Sequence, residues 1–332
     1  MQAISCFFIN DRSSPALFRT FPFFIRYKSG MSAIIRVNHL SKSFGDIKAV
    51  DDLSFTVSKG GVHGFLGQNG AGKSTTIRML LTLIRPTAGS IELFGLDLRR
   101  HRREILRRTG AMIEKPDLYK YLSAYENLRI FARLSGVSVS RTRTLEQLEH
   151  VGLADRAHSK VRTFSQGMKQ RLGLACALVH DPELIILDEP TNGLDPQGIS
   201  DMRSMILQLS RKEGKTLLVS SHLLAEMELV ADHLLIIHKG RKVIDGSVQE
   251  LLRPDRVVLE LKTLDPTAAQ ELLADSRWQN GLLPPRAETV RIEVPNSDIP
   301  ELHRHLVQQG LAVTSLRPVN SLEDYFLSLT QE

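Results

Sequence analysis

The sequence predicts an α/β fold built around a parallel sheet, with a small α+β unit at the carboxyl end. Two short apolar runs carry this prediction, since runs without polar alternation are typical of strands covered on both faces. The first run ends at Gly64-Phe65-Leu66 and is followed by a glycine-rich turn and an amphipathic helix. The second, Leu184-Ile185-Ile186-Leu187, ends in two carboxylates. We therefore expect buried strands that deliver polar groups to one edge of a sheet.

The first thirty residues differ from the rest of the chain. They hold six of the thirteen phenylalanines, and their four basic residues against Asp11 account for half of the net charge of +6. Met31 then opens Ser32–Val37, which has the pattern of a first strand. Two explanations stay open: an upstream start codon chosen in error, which we favour, or a targeting or membrane-contacting segment broken by Pro15 and Pro22.

The glycine-rich turn GQNGAGKST meets the full phosphate-loop template and predicts binding of a nucleoside triphosphate. Backbone amides of the turn and the amino end of the next helix suit phosphate oxygens, while a lysine reaches the terminal phosphates and a serine helps to hold Mg²⁺. A turn with a chance lysine is the plain alternative. The expected nucleotide-binding residues are Gly67, Gln68, Asn69, Gly70, Ala71, Gly72, Lys73, Ser74 and Thr75.

The two acids at the end of the second buried strand predict divided roles. Successive side chains of a strand point to opposite faces, so Asp188 and Glu189 need not share a proton. We expect Asp188 to bind Mg²⁺ through water and Glu189 to polarise an attacking water. The alternative is an acidic strand end without a role.

Four stretches, in this order, resemble motifs of the ATP-binding cassette (ABC) proteins. Phe164–Arg171 is similar to their signature motif, usually LSGGQ, with Ser165 and Gly167 kept and glutamine and methionine at Gln166 and Met168. Leu184–Pro190 resembles their Walker B motif. Gly193-Leu194-Asp195 and Ser220-Ser221-His222 resemble their D-loop and switch histidine. Read alone, Phe164–Arg171 would be an ordinary capped start of a helix, and His222 would be a structural histidine. Taken together, the four motifs identify the chain as similar to ABC ATPases over residues 34–250.

This resemblance implies a P-loop NTPase cassette, a RecA-like core with antiparallel β and helical subdomains. The cassette would span residues 31–247, with its helical subdomain at about 100–163, and residues 248–332 would form an accessory α+β domain. The implied cofactors are ATP and Mg²⁺. The implied roles are catalysis by Lys73, Glu189 and His222, Mg²⁺ binding by Ser74 and Asp188, and nucleotide contacts from Ser165, Gln166, Gly167 and Asp195 across a dimer.

Two positions refine the resemblance. Phe44, expected before the first strand pair, stands where the family usually carries an aromatic residue that stacks on adenine; a core phenylalanine is the alternative. Glu114, after a helix expected over Leu98–Arg108, replaces the glutamine of the family's glutamine loop. A carboxylate keeps an oxygen for Mg²⁺ or nucleotide-bound water but adds charge. This substitution is similar to the bacitracin-exporter and lantibiotic-immunity branch.

Beyond Gly246 the pattern changes to strands and helices without a phosphate motif. Strands are expected at Val257–Leu261, Val290–Val294 and Leu311–Leu316, and helices at Ala268–Leu273, Ile299–Gln308 and Leu322–Leu329, the last with a capping box from Ser321 and Asp324. Three roles of this carboxyl-terminal α+β unit stay open: regulation, support of a dimer, or packing alone.

The resemblance implies partners and a location. No run approaches the length of a membrane-spanning helix, so we expect a cytoplasmic subunit on the inner face of the membrane, with a separate permease and a second ATPase domain, as a homodimer. Export of a peptide antibiotic or similar amphiphile follows from the branch alone. The rivals are a mechanical clamp on ribosomes or DNA and a non-hydrolysing regulatory module. The low charge outside the leader gives no reason to expect nucleic acid. Three interpretations of the arginine-rich segment 99–108 stay open: a solvated surface, a contact with an anionic membrane, or a contact with an acidic loop of a partner.

Overall fold

The structure, a computed structural model, describes residues 32–252, 256–286 and 289–319. The strands are β1 (Ala33–Phe44), β2 (Ile47–Ser58), β3 (Val62–Leu66), β4 (Ala88–Leu93), β5 (Leu96–Asp97), β6 (Thr109–Ile113), β7 (Leu184–Asp188), β8 (Thr216–Ser221), β9 (His233–His238), β10 (Arg241–Ser247), β11 (Arg256–Thr263), β12 (Leu282–Arg286), β13 (Thr289–Pro295) and β14 (Val313–Val319). The helices are α1 (Lys73–Leu80), α2 (Arg102–Arg107), α3 (Ala124–Leu134), α4 (Arg141–His150), α5 (Gln166–Leu178), α6 (Pro196–Arg211), α7 (Leu224–Glu228), α8 (Val248–Leu252), α9 (Pro266–Ala274) and α10 (Ile299–Gln308).

A six-stranded sheet in the order β10-β9-β3-β8-β7-β6 forms the centre of the cassette. All neighbouring pairs are parallel except β10 with β9. The strands β3 and β7 are buried at every position, as their unbroken apolar runs predict. The register aligns the carboxyl ends, because Asp188 pairs with Ile113 on one side and with Ser220 on the other, and Leu66 pairs with Ser221. Groups that follow these strands therefore converge at one edge.

A second, antiparallel sheet in the order β2-β1-β4-β5 packs on the central sheet through a shared apolar core. The first strand, expected over Ser32–Val37, extends to Phe44 and turns at once into β2. The expectation that Phe44 precedes the first strand pair is therefore wrong: Phe44 is the last residue of β1 and pairs with Ile47 across the turn.

A helical layer formed by α3, α4 and α5 has its own apolar core, whose buried members run from Leu118 to Cys176. Cys176 is buried there, as expected for a structural thiol, and burial raises its pKa. Within the range 100–163 assigned to a helical subdomain, Thr109–Ile113 is instead a strand of the central sheet. The helix expected over Leu98–Arg108 is shorter, because Asp97 accepts the backbone N–H groups of Arg99 and Arg100 and holds the chain in a turn before α2.

The carboxyl-terminal residues form a third sheet in the order β12-β13-β11-β14, covered by α9 and α10 around a separate apolar core. The expected strands and helices are present with bounds shifted by a few residues, and Leu311 and Ala312 precede β14. The strand β12 was missed because it contains Pro284 and Pro285; as an edge strand it tolerates both. The predictions for residues 1–30 and for Leu322–Leu329 lie outside the described residues.

Within the described ranges, no helix combines the length and the apolar character needed to cross a bilayer.

Candidate functional site

The loop between β3 and α1 contains two glycines with left-handed backbone. Gly72 has φ +104°, and a Cβ there would lie 2.6 Å from the carbonyl oxygen of Ala49. Gly70 has φ +84°. Left-handed backbone of this kind is accessible to glycine and lets successive N–H groups turn into one concavity. The loop therefore has the backbone that a phosphate cradle requires.

The side chain of Lys73 lies across this loop and is only 5% exposed. Its Nζ donates to the carbonyl oxygen of Gly67 at 2.6 Å and to that of Gln68 at 3.3 Å. The same Nζ stands 3.2 Å from Glu189 Oε1. The ammonium group is thus fixed at the point where the loop faces the acid that follows β7.

Asp188 at the end of β7 is fully buried, and its two oxygens have different surroundings. Oδ1 accepts a 2.5 Å hydrogen bond from Ser220 Oγ on the adjacent strand β8. Oδ2 is buried without a hydrogen-bond partner in the described part of the chain. A buried carboxylate oxygen left unpaired is costly. This oxygen is therefore the one available for a cation or for its bound water.

Glu189 follows Asp188 with φ +50°, which turns its side chain back toward the phosphate loop. Its backbone N–H donates to Ser220 Oγ at 2.9 Å, so one hydroxyl holds both acids. Glu189 Oε2 accepts from His222 Nδ1 at 2.8 Å, while Oε1 faces Lys73. The carboxylate thus bridges a cation and an imidazole, close to where a terminal phosphate would lie.

The tautomer at His222 follows from this contact. With Nδ1 donating to a carboxylate, Nε2 donates to a phosphate oxygen only in the doubly protonated imidazolium, or after Nδ1 exchanges its partner.

The donor set fits Mg²⁺ bound together with a nucleotide. Magnesium favours one or two carboxylates plus phosphate oxygens and water over a cage made of protein alone. Asp188 Oδ2 supplies one unpaired oxygen, and Ser74 at the start of α1 is half-buried beside the loop. The described residues contain no group of three His, Cys, Asp or Glu side chains arranged around a metal position.

Glu114 follows β6, next to β7 in the sheet, and has φ +53°. Its carboxylate is 60% exposed and pairs with Arg78 Nη2 of α1 at 2.5 Å. Glu114, which we expected to bind Mg²⁺ or its water, therefore forms an ion pair with an arginine of α1.

Phe44 is 49% exposed, so it is not a core phenylalanine. The Nζ of Lys42 stands 4.8 Å from the centre of its ring, a cation–π contact. An exposed ring at the end of a fixed strand can stack on a base.

The signature and D-loop residues lie at helix starts. Ser165 Oγ caps α5 by accepting from Met168 N–H, and Asp195 Oδ1 caps α6 by accepting from Gly198 N–H. Gln166 and Gly167 begin α5 and are half-buried. A Cβ on Gly167 would meet nothing within 4 Å, so packing within this chain does not require glycine there. Among the described residues, no hydrogen bond or ion pair joins them to the phosphate loop.

Sequence reasoning assigned no role to Ser220, Arg78 or Lys42. A hydroxyl at the end of the apolar strand β8 was the available signal for Ser220, but its contact with both acids depends on the pairing of β7 with β8. The other two are common surface residues whose partners are 36 and 2 positions away.

Comparison with known proteins gives one consistent result. The sequence profile of the family described as "ABC transporter" matches residues 50–192. The chain is 42% identical over 300 residues to the bacitracin transport ATP-binding protein BcrA of Bacillus licheniformis, covering 90% of this chain and 98% of that one. It is 42% identical over 212 residues to the lantibiotic transport ATP-binding protein SrtF of Streptococcus pyogenes, covering 64% and 90%. A solved ATP-binding subunit of an ABC transporter superposes with a TM-score of 0.59 at 33% identity, covering 66% and 91%.

Proposed function

Because this chain belongs to the ABC transporter family of ATP-binding subunits, we propose that it hydrolyses ATP with Mg²⁺ in a dimer and powers a separate permease for export of a peptide antibiotic or a similar amphiphile. The observation that carries the proposal is the contact of Glu189 with both Lys73 and His222, beside Asp188. The names of the two relatives above, for bacitracin and lantibiotic transport, support the cargo class.

The chemistry assigns one task to each side chain. Asp188 and Ser74 would hold Mg²⁺, which would supply positive charge to the phosphate oxygens. Lys73 moves from Glu189 to the β and γ phosphates, which frees the Glu189 carboxylate to orient the attacking water. His222 then steadies the γ-phosphate. Binding of ATP is therefore an exchange of partners at Lys73.

Dimerisation is supported by Gly167. Glycine near the start of a helix costs stability, and nothing in the described part of the chain lies within 4 Å of where a Cβ at this position would be. We infer that the space serves the nucleotide held by a second copy, with Ser165, Gln166 and Asp195 beside it. Each chain has one phosphate loop, so two copies make two sites.

The proposed location is the cytoplasmic face of the membrane, where ATP is available and a permease can dock. Glu114 and the helical layer that follows it are the elements through which closure of the dimer reaches that permease.

The test is Glu189→Gln, which keeps the shape and removes the base. We expect ATPase activity to fall by about 10²–10⁴-fold, as for loss of a general base, while ATP still binds and a dimer accumulates in gel filtration. The control is Glu183→Gln, the same change at the opposite end of β7, which should retain activity. Hydrolysis at the wild-type rate by Glu189→Gln would refute the assignment.

Affinity purification of the Glu189→Gln protein with ATP from solubilised membranes tests the partner. Recovery of a multispanning permease in near-equal amount supports the proposal; recovery of ribosomes or DNA instead contradicts it.

A further inference from the structure

An arginine-rimmed cavity lies away from the phosphate loop, between the end of α1, strand β4 and the turn before α2. Its volume is about 740 Å³. The floor is apolar, with Met79, Ile91 and Leu98 all buried. The rim carries Arg85, Arg99 and Arg102, three exposed arginines. The cavity thus joins an apolar interior to a strongly cationic mouth, and we name it the arginine cavity.

The rim has little negative charge of its own. Asp97 is the single acid of the lining, and its Oδ1 is occupied by the backbone N–H groups of Arg99 and Arg100. Within the described part of the chain, no ion pair joins Arg85, Arg99 or Arg102 to a carboxylate. Other arginines do have such a partner, as Arg78 has Glu114. The positive charge at the mouth is therefore left for an external anion.

Two of the guanidinium groups are held in place by neutral partners. Arg102 Nε donates to Thr82 Oγ1 at 2.6 Å, and Arg99 Nη2 contacts the carbonyl oxygen of Gly89 at 3.4 Å. A guanidinium has five N–H donors, so each arginine keeps a pair for a further ligand. Fixed, forked donors of this kind match phosphate oxygens.

We propose that the arginine cavity binds the phosphate headgroup of an anionic phospholipid and so attaches the cassette to the membrane surface beside its permease. The inference rests on the proposed function only in that a transporter subunit works at a membrane. The anionic phosphate fits the rim, and the glycerol and first methylene groups fit the apolar floor. The exposed Arg100, Arg103 and Arg107, which flank the rim in sequence, add attraction to an anionic leaflet.

Vesicle flotation of the full chain tests this proposal. Wild-type protein should float with phosphatidylcholine vesicles that contain phosphatidylglycerol and remain behind with pure phosphatidylcholine. The triple variant R85Q/R99Q/R102Q should bind the anionic vesicles roughly 100-fold more weakly, since each arginine near an anionic surface contributes about a factor of 5.

The matched control is R141Q/R211Q/R304Q, which removes the same charge from exposed arginines far from the arginine cavity in sequence. Both variants keep residues 1–30, so a difference between them reports the cavity and not the basic leader. ATPase activity in solution should equal that of the wild type in both, which shows that they fold and separates this test from that of the catalytic assignment.

Equal vesicle binding by the two triple variants would overturn the proposal, as would equal binding of the wild type to neutral and anionic vesicles. Isothermal titration with inorganic phosphate and with glycerol 3-phosphate forms a second arm. Saturation of the wild type but not of R85Q/R99Q/R102Q by these free anions, without any vesicle binding, would assign the cavity to a small phosphate compound and overturn the lipid assignment. Vesicle binding that persists in their presence supports it.

Discussion

Replacing Ser220 by alanine separates the support of the two acids from their chemistry. The hydroxyl is fully buried; it donates to Asp188 Oδ1 at 2.5 Å and accepts the N–H of Glu189 at 2.9 Å. Ser220→Ala removes a hydrogen bond to a charged group, about 1.5–3 kcal/mol, and leaves a backbone N–H without its partner, about 1–3 kcal/mol. We therefore expect the free energy of unfolding to fall by about 3 kcal/mol or more.

The same change acts on the metal. With Oδ1 released, the Asp188 carboxylate can rotate, and Oδ2 is no longer held toward the loop. Loss of such outer partners lowers metal affinity by about 10–100-fold. The measurements are urea unfolding, Mn²⁺ binding by electron paramagnetic resonance with ATP present, and the Mg²⁺ concentration that gives half-maximal ATPase activity.

Two variants control this experiment. Ser221→Ala removes a neighbouring buried hydroxyl that accepts the N–H of Leu223 and does not contact Asp188, so it should cost about 1 kcal/mol and leave Mn²⁺ binding unchanged. Ser220→Thr keeps the hydroxyl and should restore metal binding toward the wild type. The reasoning is refuted if Ser220→Ala binds Mn²⁺ normally and is no less stable than Ser221→Ala.

Three further outcomes are expected. A Cβ on Gly110 would stand 2.2 Å from the carbonyl oxygen of Ala177, so Gly110→Ala should destabilise the chain by about 3 kcal/mol in urea unfolding, whereas Gly167→Ala, which meets nothing, should not; equal stability of the two would contradict the packing argument. Burial lowers the pKa of His63 from 6.5 to about 4, so the unfolded state binds more protons than the folded state between these pH values. The contribution of His63 to the free energy of unfolding is therefore fully present above pH 6.5 and falls by up to about 3 kcal/mol as the pH drops to 4. In His63→Gln, the dependence of the free energy of unfolding on pH should be weaker over this range. Phe44→Ala should weaken ATP binding in a fluorescence titration by about 1–3 kcal/mol, the value of one stacked base, with little change in melting temperature because the ring is half exposed; an unchanged Kd would show that Phe44 does not stack on adenine.

The sequence predicted those parts of the molecule that depend on local pattern. The phosphate loop and the strand ending in Asp188 are contiguous motifs with flanking apolar runs, and the structure has both at the same edge of the central sheet. Ser220 was missed because its role arises from pairing between strands more than thirty residues apart. The ion pair of Glu114 with Arg78 likewise depends on how α1 lies beside β6. Spacing along the chain does not encode such contacts.

The predicted bounds of helices and strands were wrong where a side-chain hydrogen bond, or a position at the edge of a sheet, outweighed the intrinsic propensity of the residues. The basic segment before β6 has good helix-forming residues, yet Asp97 bonds to the next backbone amides and delays the helix to Arg102. No strand was expected at Leu282–Arg286, which contains two adjacent prolines; an edge strand tolerates them because one of its sides is free of ladder hydrogen bonds.

Because the central strands β3, β6, β7 and β8 run parallel, the edge of the sheet at their carboxyl ends holds the chemical groups, and the edge at their amino ends is free for modification. The phosphate loop, Glu114, Glu189 and His222 follow the carboxyl ends of β3, β6, β7 and β8 in turn. The opposite edge holds the connections that enter these strands, among them the exposed segment 212–214 between α6 and β8. A fluorophore or an affinity tag placed there would be a full strand length from Asp188. The native register thus offers a built-in site for labelling, at which dimer closure can be followed without touching the residues that cause it.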